Sequence, residues 1–150
     1  MTTRVIKSDR HKADLIALIN ARSTPFTVTI TSGAHRTEYQ NRTAFMWYKE
    51  IAEQLGDQSA EDVRKFCKLT LGVAILRHEN EAFRIEYDKV VKPMSYENKL
   101  AIMGEPFNLP ISSIMTVAQK TKYLDEIQRH FLQLGIVLTQ PKERIGKRDD

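Results

Sequence analysis

Apolar residues along most of this chain recur at the three- and four-residue spacing of an amphipathic helix, but the first thirty residues differ. Residues 2–7 form a short segment rich in β-branched side chains, which is typical of a strand. Residues 26–30 alternate apolar side chains with threonines, which is typical of a half-buried strand. Asp9 can cap a helix between them that runs to about Ala21. The beginning of the chain therefore predicts strand–helix–strand and a small sheet.

The remainder of the chain is predicted to be helical. Thr37 with Gln40, Ser59 with Asp62 and Thr116 with Gln119 have the spacing of helix-starting pairs. Gly56, Gly104 and Gly135 follow apolar repeats and favour helix ends. The fold class is thus predicted as α+β: a small N-terminal β-sheet packed with a mostly helical remainder of about five helices. These helices begin near residues 37, 59, 79, 95 and 116, and residues 136–138 form a short apolar exit or strand.

Length and composition describe one globular domain. The 150 residues suffice for a single domain at 1–140, followed by a mobile charged tail at 141–150. The net charge of +4 and pI of about 9.2 permit a nucleic-acid or acidic partner without requiring one. We found no signal peptide and no membrane-spanning run, so we expect a cytoplasmic protein that does not contact membranes.

The start of the predicted helix at residue 37 concentrates cations and carboxamides. Arg36, Gln40, Asn41 and Arg42 can offer hydrogen bonds and charge to phosphate at a helix N-terminus, and Lys49 adds a cation further along. These five residues are the candidate nucleic-acid contacts. The alternative is that Gln40 serves only the helix cap and Arg42 is a solvated residue.

Aromatic residues follow that cluster. Trp47 and Tyr48 share a face with Ile51, which favours the core, although interleaved aromatics and cations also suit base stacking. Tyr39 and Phe45 point elsewhere and remain candidates for stacking or for a subunit interface.

Residues for catalysis or metal binding are not apparent. Cys67, the only cysteine, lies on an apolar helix stripe and is expected in the core. The carboxylates Glu79, Glu81, Glu86 and Asp88 are spaced either as nuclease metal ligands or as the solvated face of a helix. We therefore predict no catalytic residues, no metal, no cofactor and no small-molecule substrate.

Two stretches resemble a known family. The run RTEYQNRTAFMWYKEIAEQ, residues 36–54, looks like the arginine–QNR–aromatic helix of the phage recombination protein NinB (Orf) family. The run SSIMTVAQKTKYLDEIQRHFLQLGIVL, residues 112–138, resembles the C-terminal helix of the same family. The two stretches occur in the family's order and are compatible with a strand–helix–strand beginning.

That resemblance implies a non-enzymatic recombination mediator. Such a protein binds single-stranded DNA, contacts the host single-strand-binding protein and helps to load strand-exchange proteins. It is a homodimer with an α+β fold, and the stripe at 117–134 can be its dimer seam or pack on its own core. By the same resemblance Gln40, Asn41 and Arg42, with Arg36, face DNA. Two alternatives stay open: an adaptor that binds only the tail of the single-strand-binding protein, and a metal-dependent recombination nuclease.

Overall fold

A computed structural model describes residues 4–30 and 34–140, with side chains from residue 38 onward in the second range. It is helical throughout: helix accounts for 68% of the chain, and no strand occurs in the two described ranges. The prediction of an α+β fold with an N-terminal sheet is therefore wrong. The chain divides into two units, Met1–His35 and Arg36–Asp150.

The predicted strands do not form, because the alternation of apolar and polar residues does not by itself provide a neighbouring strand to pair with. Residues 4–7 and 26–30 have no regular structure, and residues 2 and 3 lie outside the described ranges. Val28 and Ile30 are 49% and 83% exposed, so the face predicted to be buried is open. An isolated strand leaves its backbone hydrogen-bonding groups to water. Even two paired strands are only marginally stable, so a sheet needs a third strand or a helix packed on it.

The first unit contains one helix, which begins at a side-chain cap. Helix α1 (Asp9–Ala21) is capped by Ser8, whose Oγ accepts from the His11 backbone N–H at 3.2 Å, and not by Asp9 as the sequence suggested. None of its residues is buried.

The remaining helices belong to the second unit, apart from the first two residues of α2. None of the helices in the described residues is long and apolar enough to cross a bilayer. In chain order the elements are α2 (Ala34–Leu55), α3 (Ala60–Cys67), a π-helical segment (Lys68–Gly72), α4 (Val73–Glu79), α5 (Glu81–Val90), α6 (Tyr96–Met103), a 3₁₀ turn (Ser112–Ile114) and α7 (Val117–Leu132).

The predicted helix starts near residues 59, 95 and 116 are confirmed, and two of them use the predicted capping pairs. Ser59 with Asp62 opens α3, and Thr116 with Gln119 opens α7. In each capping pair, the hydroxyl of the first residue accepts from the backbone N–H of the second, and the side chain of the second accepts from the backbone N–H of the first. The end near Gly135 is confirmed as well. Gly135 has a φ of +83°, and the Ile136 N–H reaches back to the Phe131 carbonyl at 3.0 Å. This pattern requires a left-handed residue, which glycine adopts at no steric cost.

The centre of the second unit is the continuous helix formed by α3, the π-helical segment and α4. Helices α6 and α7 pack against the π-helical segment, while α5 packs against α4. Cys67 is fully buried there, as predicted, and burial raises the pKa of its thiol. Gly72 allows a close approach, since a Cβ at this position would lie 2.6 Å from Cγ2 of Ile111. The π-helical segment thus lies in the core, where Gly72 leaves room for Ile111.

Side chains of helix α2 hydrogen-bond to the backbone of residues near the end of the described chain. The Gln54 side chain donates to the Val137 carbonyl at 2.8 Å and accepts from the Val137 N–H at 3.1 Å. The indole N–H of Trp47 donates to the Thr139 carbonyl at 2.8 Å. Ile136 is buried, and residues 136–138 form no strand. Side chains of α2 therefore satisfy backbone groups that a neighbouring strand would otherwise satisfy.

Trp47→Ala should lower the free energy of unfolding by ~3–5 kcal/mol, because the ring is 3% exposed and leaves a large cavity. Trp47→Phe keeps most of the apolar contact but leaves the Thr139 carbonyl without its donor, which costs ~1–3 kcal/mol. Chemical denaturation measures both. Equal losses for the two variants would show that the hydrogen bond, and not the packing, dominates.

Candidate anion-binding site

Gln40 is not at a helix start. Helix α2 begins at Ala34, so the predicted capping pair of Thr37 and Gln40 is wrong. Gln40 is 5% exposed and reaches across to α7, where its Nε2 donates to Thr121 Oγ1 at 2.9 Å and to the Val117 carbonyl at 3.3 Å. The glutamine therefore joins two helices that are distant in sequence, instead of facing outward from a helix end.

The other predicted contacts separate into two groups. Asn41 is exposed and lies beside Gln40 on the face of α2 that turns toward α7. Arg42 and Lys49, seven residues apart, are both exposed and lie on a different face. The side chain of Arg36 falls outside the described residues. The structure thus brings together Gln40 and Asn41, and it does not bring Arg42 or Lys49 to them.

Gln40 and Asn41 line a cavity of about 70 Å³, which we call the cation pocket. Three helices and the 3₁₀ turn contribute to it. Its lining includes both buried and exposed residues, and the exposed ones mark its mouth. The lining residues are Gln40, Asn41, Ala44, Phe45, Tyr48, Arg64, Lys68, Ser112, Lys120, Tyr123 and Leu124.

Lys68 is the most deeply placed cation of the pocket. It is 4% exposed, and its ammonium donates to the Met103 carbonyl at 2.5 Å and to Asn108 Oδ1 at 2.8 Å. Burial, and secondarily the positive charge of Arg64, lowers the pKa of Lys68 to about 8. An anion in the pocket would offset the desolvation of this ammonium.

Lys120 approaches from α7. It is 6% exposed, its ammonium donates to Asn41 Oδ1 at 3.2 Å, and burial lowers its pKa. An ammonium carries three donors, so two N–H groups of Lys120 and one of Lys68 are left by the bonds just described.

Arg64 supplies the third cation from α3. Its guanidinium donates to Glu61 at 3.1 Å and also to Asn108 Oδ1. Asn108 therefore accepts from both Arg64 and Lys68 and holds the two side chains in place. Glu61 is the one carboxylate bonded to these three cations in the described chain, and Glu105 also acts on Lys68, so three positive charges lie near two negative ones.

The buried polar groups that line the pocket differ in whether they have a hydrogen-bond partner. The hydroxyls of Tyr48 and Tyr123 hydrogen-bond each other at 2.9 Å in the core, and burial raises the pKa of both. Gln40 Oε1 is buried without any hydrogen-bond donor among the described residues. Because Nε2 faces the Val117 carbonyl, which can only accept, the amide orientation is fixed and Oε1 must find its donor elsewhere.

Phe45 lies at the mouth of the pocket. Its ring is 55% exposed and contacts Tyr48 edge-on, with 5.7 Å between ring centroids. Tyr48 is buried, as predicted for a core residue, together with Trp47. The exposed ring next to buried cations can stack with a flat group while an attached anion enters the cavity.

Sequence reasoning missed Arg64, Lys68 and Lys120. A signal was present for two of them, because Lys120 interrupts the apolar stripe of α7 and Lys68 lies between the buried residues Cys67 and Leu69. Lysine is rarely buried without a functional or structural reason. A lysine inside an apolar repeat was thus a stronger indication of a site than the exposed arginines.

Two of the four carboxylates considered as metal ligands form close ion pairs with basic side chains. Asp88 forms a two-pronged ion pair with Arg77 at 2.7 and 2.9 Å, and the hydrogen bond from Arg77 holds the Asp88 pKa low. Glu79 pairs with Lys122 and accepts from Gln119. Within the described ranges, no group of three or more His, Cys, Asp or Glu side chains is placed to hold a metal. Glu79–Val90 is helical apart from Asn80, as predicted.

Comparisons with family models, with curated proteins and with solved structures each gave no match.

The depressed pKa of Lys68 predicts a pH-dependent stability. Between about 8 and the unfolded value of ~10.4, the unfolded chain binds more protons than the folded one, so stability attributable to Lys68 increases as pH rises. Chemical unfolding of the wild type and of Lys68→Met at about pH 7.5 and about pH 9.5 should show the difference in unfolding free energy shifting toward the wild type at the higher pH. A difference that does not change with pH would contradict the shifted pKa.

Proposed function

We propose that the protein is a non-enzymatic mediator of phage recombination that binds single-stranded DNA in the cytoplasm of the bacterial host. In this proposal a backbone phosphate enters the cation pocket, and a neighbouring base stacks on Phe45. The protein acts as a homodimer and contacts the host single-strand-binding protein, so that strand-exchange proteins gain access to the strand.

The observation that carries the proposal is the convergence of Arg64, Lys68 and Lys120 on one small cavity. Two of these cations are buried, and their described partners are mostly neutral oxygen atoms, so an anionic ligand would relieve an electrostatic cost. Exposed Arg42 and Lys49 add charge elsewhere on α2. The resemblance to NinB supports the same function from the sequence, since both resembling stretches, in α2 and α7, contribute to the pocket.

A second candidate uses the same pocket. An adaptor for the acidic tail of the single-strand-binding protein would place one carboxylate where DNA places one phosphate, and a cavity of about 70 Å³ suits a single anionic group. Titration with an acidic peptide and with an oligonucleotide separates the two functions. Peptide binding without oligonucleotide binding would favour the adaptor.

Lys120→Met should weaken binding of a single-stranded oligonucleotide about tenfold, since it removes a charge-assisted hydrogen bond while keeping the apolar stem. The matched control is Lys89→Met, which makes the same charge change at an exposed residue of α5 that does not line the pocket. Fluorescence anisotropy measures both. If ~3–5 phosphates are contacted, log affinity of the wild type should fall with log salt at a slope of about −2 to −3.5.

Equal losses in the two lysine variants would mean that overall charge and not the pocket binds the strand. Salt-insensitive binding would contradict the electrostatic mechanism as a whole.

Phe45→Ala should reduce oligonucleotide affinity by ~1–3 kcal/mol, the usual effect of removing one stacking ring. The control is Tyr96→Ala on α6, because this aromatic residue is exposed to a similar extent but does not line the pocket. Thermal unfolding should show that both variants fold. Unchanged affinity in Phe45→Ala would remove the stacking contact from the proposal.

A further inference from the structure

The loop that follows α6 brings two neutral oxygen atoms to the buried ammonium of Lys68. The Met103 carbonyl accepts from this ammonium at 2.5 Å, and Asn108 Oδ1 accepts from it at 2.8 Å. The same Asn108 oxygen also accepts from the guanidinium of Arg64. One amide oxygen is therefore shared by two of the three cations of the pocket.

The backbone of this loop places Asn108 where it can reach both cations. Asn108 has a φ of +47°, and its N–H donates to the Gly104 carbonyl at 2.7 Å. Gly104 lies directly against α3, since a Cβ at this position would be 2.7 Å from Glu61 Oε2. Besides glycine, asparagine and aspartate are the residues that adopt a positive φ most readily. An aspartate could thus take the same conformation at position 108.

The charge at position 108 determines whether the cations of the pocket keep a positive excess. These three cations lie near two carboxylates, those of Glu61 and Glu105. Asparagine and aspartate have the same shape, but an aspartate would place a full negative charge 2.8 Å from Lys68 Nζ. Positive and negative charges would then be equal in number, and the buried ammonium would have an opposite charge beside it. The neutral amide holds the cations and leaves their charge uncompensated.

We propose that Asn108 sets the anion affinity of the cation pocket, because its amide oxygen positions Lys68 and Arg64 without neutralising them. The charge that remains is available to a phosphate of the strand. This inference rests on the single-stranded DNA binding proposed above and adds a positioning residue that does not itself line the pocket. Asn108 acts through the two cations that it holds.

Asn108→Asp tests the proposal most directly, because it changes the charge of the side chain and not its size. Anisotropy titration with a single-stranded oligonucleotide should show an affinity about tenfold below that of the wild type. The slope of log affinity against log salt should become less steep by about 0.7, the contribution of one phosphate contact on a single strand. Chemical denaturation should show no loss of stability, since Lys68 gains an opposite charge.

Gln58→Glu is the matched control. It makes the same amide-to-carboxylate change at an exposed residue before the start of α3, and this residue does not line the pocket. Its affinity and its salt dependence should stay close to those of the wild type. Equal losses of affinity in the two variants would mean that the net charge of the protein, and not residue 108, sets the affinity.

Asn108→Gly separates the positioning of the cations from their charge. Glycine adopts a positive φ without steric cost, so the loop can keep its backbone conformation. The variant removes the shared oxygen atom and adds no charge. Affinity should therefore fall severalfold while the salt dependence stays that of the wild type. Unchanged affinity in this variant would overturn the positioning role of the amide.

The outcomes separate this inference from the function on which it rests. Wild-type affinity in Asn108→Asp would overturn the role of residue 108 and leave single-stranded DNA binding intact. Failure of the wild type to bind any strand would overturn both. A loss of affinity in Asn108→Asp that accompanies a loss of stability, with an unchanged salt dependence, would give Asn108 a structural role alone and overturn the inference.

Discussion

Two ammonium groups lie inside a helical core, and the partners that the structure describes for them are neutral oxygen atoms. Lys68 is bonded to Met103 and Asn108, and Lys120 to Asn41. Burying a charge without an opposite charge is costly, so such groups are found where a shifted pKa or a ligand reduces the cost. The architecture around the pocket can be understood as the means of holding these two charges close together.

The packing of α2 on α7 provides that arrangement. Gln40 bonds to Thr121 and Tyr48 bonds to Tyr123, which fixes the two helices along a polar seam. Lys120, next to Thr121 on α7, donates to Asn41, next to Gln40 on α2, while the central helix supplies Lys68 from its π-helical segment. A π-helical turn changes the angular positions of the side chains that follow it, and such turns occur often at functional sites. The contacts that join α2 to α7 therefore also position residues that line the cation pocket.

Local sequence signals determined a large part of the helical fold. The capping pairs at Ser59 and Thr116 and the glycine at 135 set helix ends through hydrogen bonds between near neighbours, so a short window of sequence contains all the information. The N-terminal strands could not be predicted in this way, because a strand is stable only with a partner, and residue alternation carries no information about one.

The candidate site was predicted only in part, because part of it depends on contacts between segments that are distant in the sequence. Residues 40 and 41 were identified from their composition, but their orientation depends on α7, about eighty positions later in the chain. Gln40 was expected outside and lies inside, where its bonds to Thr121 decide its role. The most direct information about the site was the presence of lysines within apolar repeats, since the cost of burying an ammonium makes that pattern uncommon.

The central claim is that Lys68 and Lys120 together form an anion site, and a crystal structure with a short single-stranded oligonucleotide tests it most directly. The account predicts a phosphorus position inside the cation pocket, with phosphate oxygens within ~4 Å of both lysine Nζ atoms. A strand that lies along Arg42 and Lys49, with the pocket holding no phosphate, would contradict it.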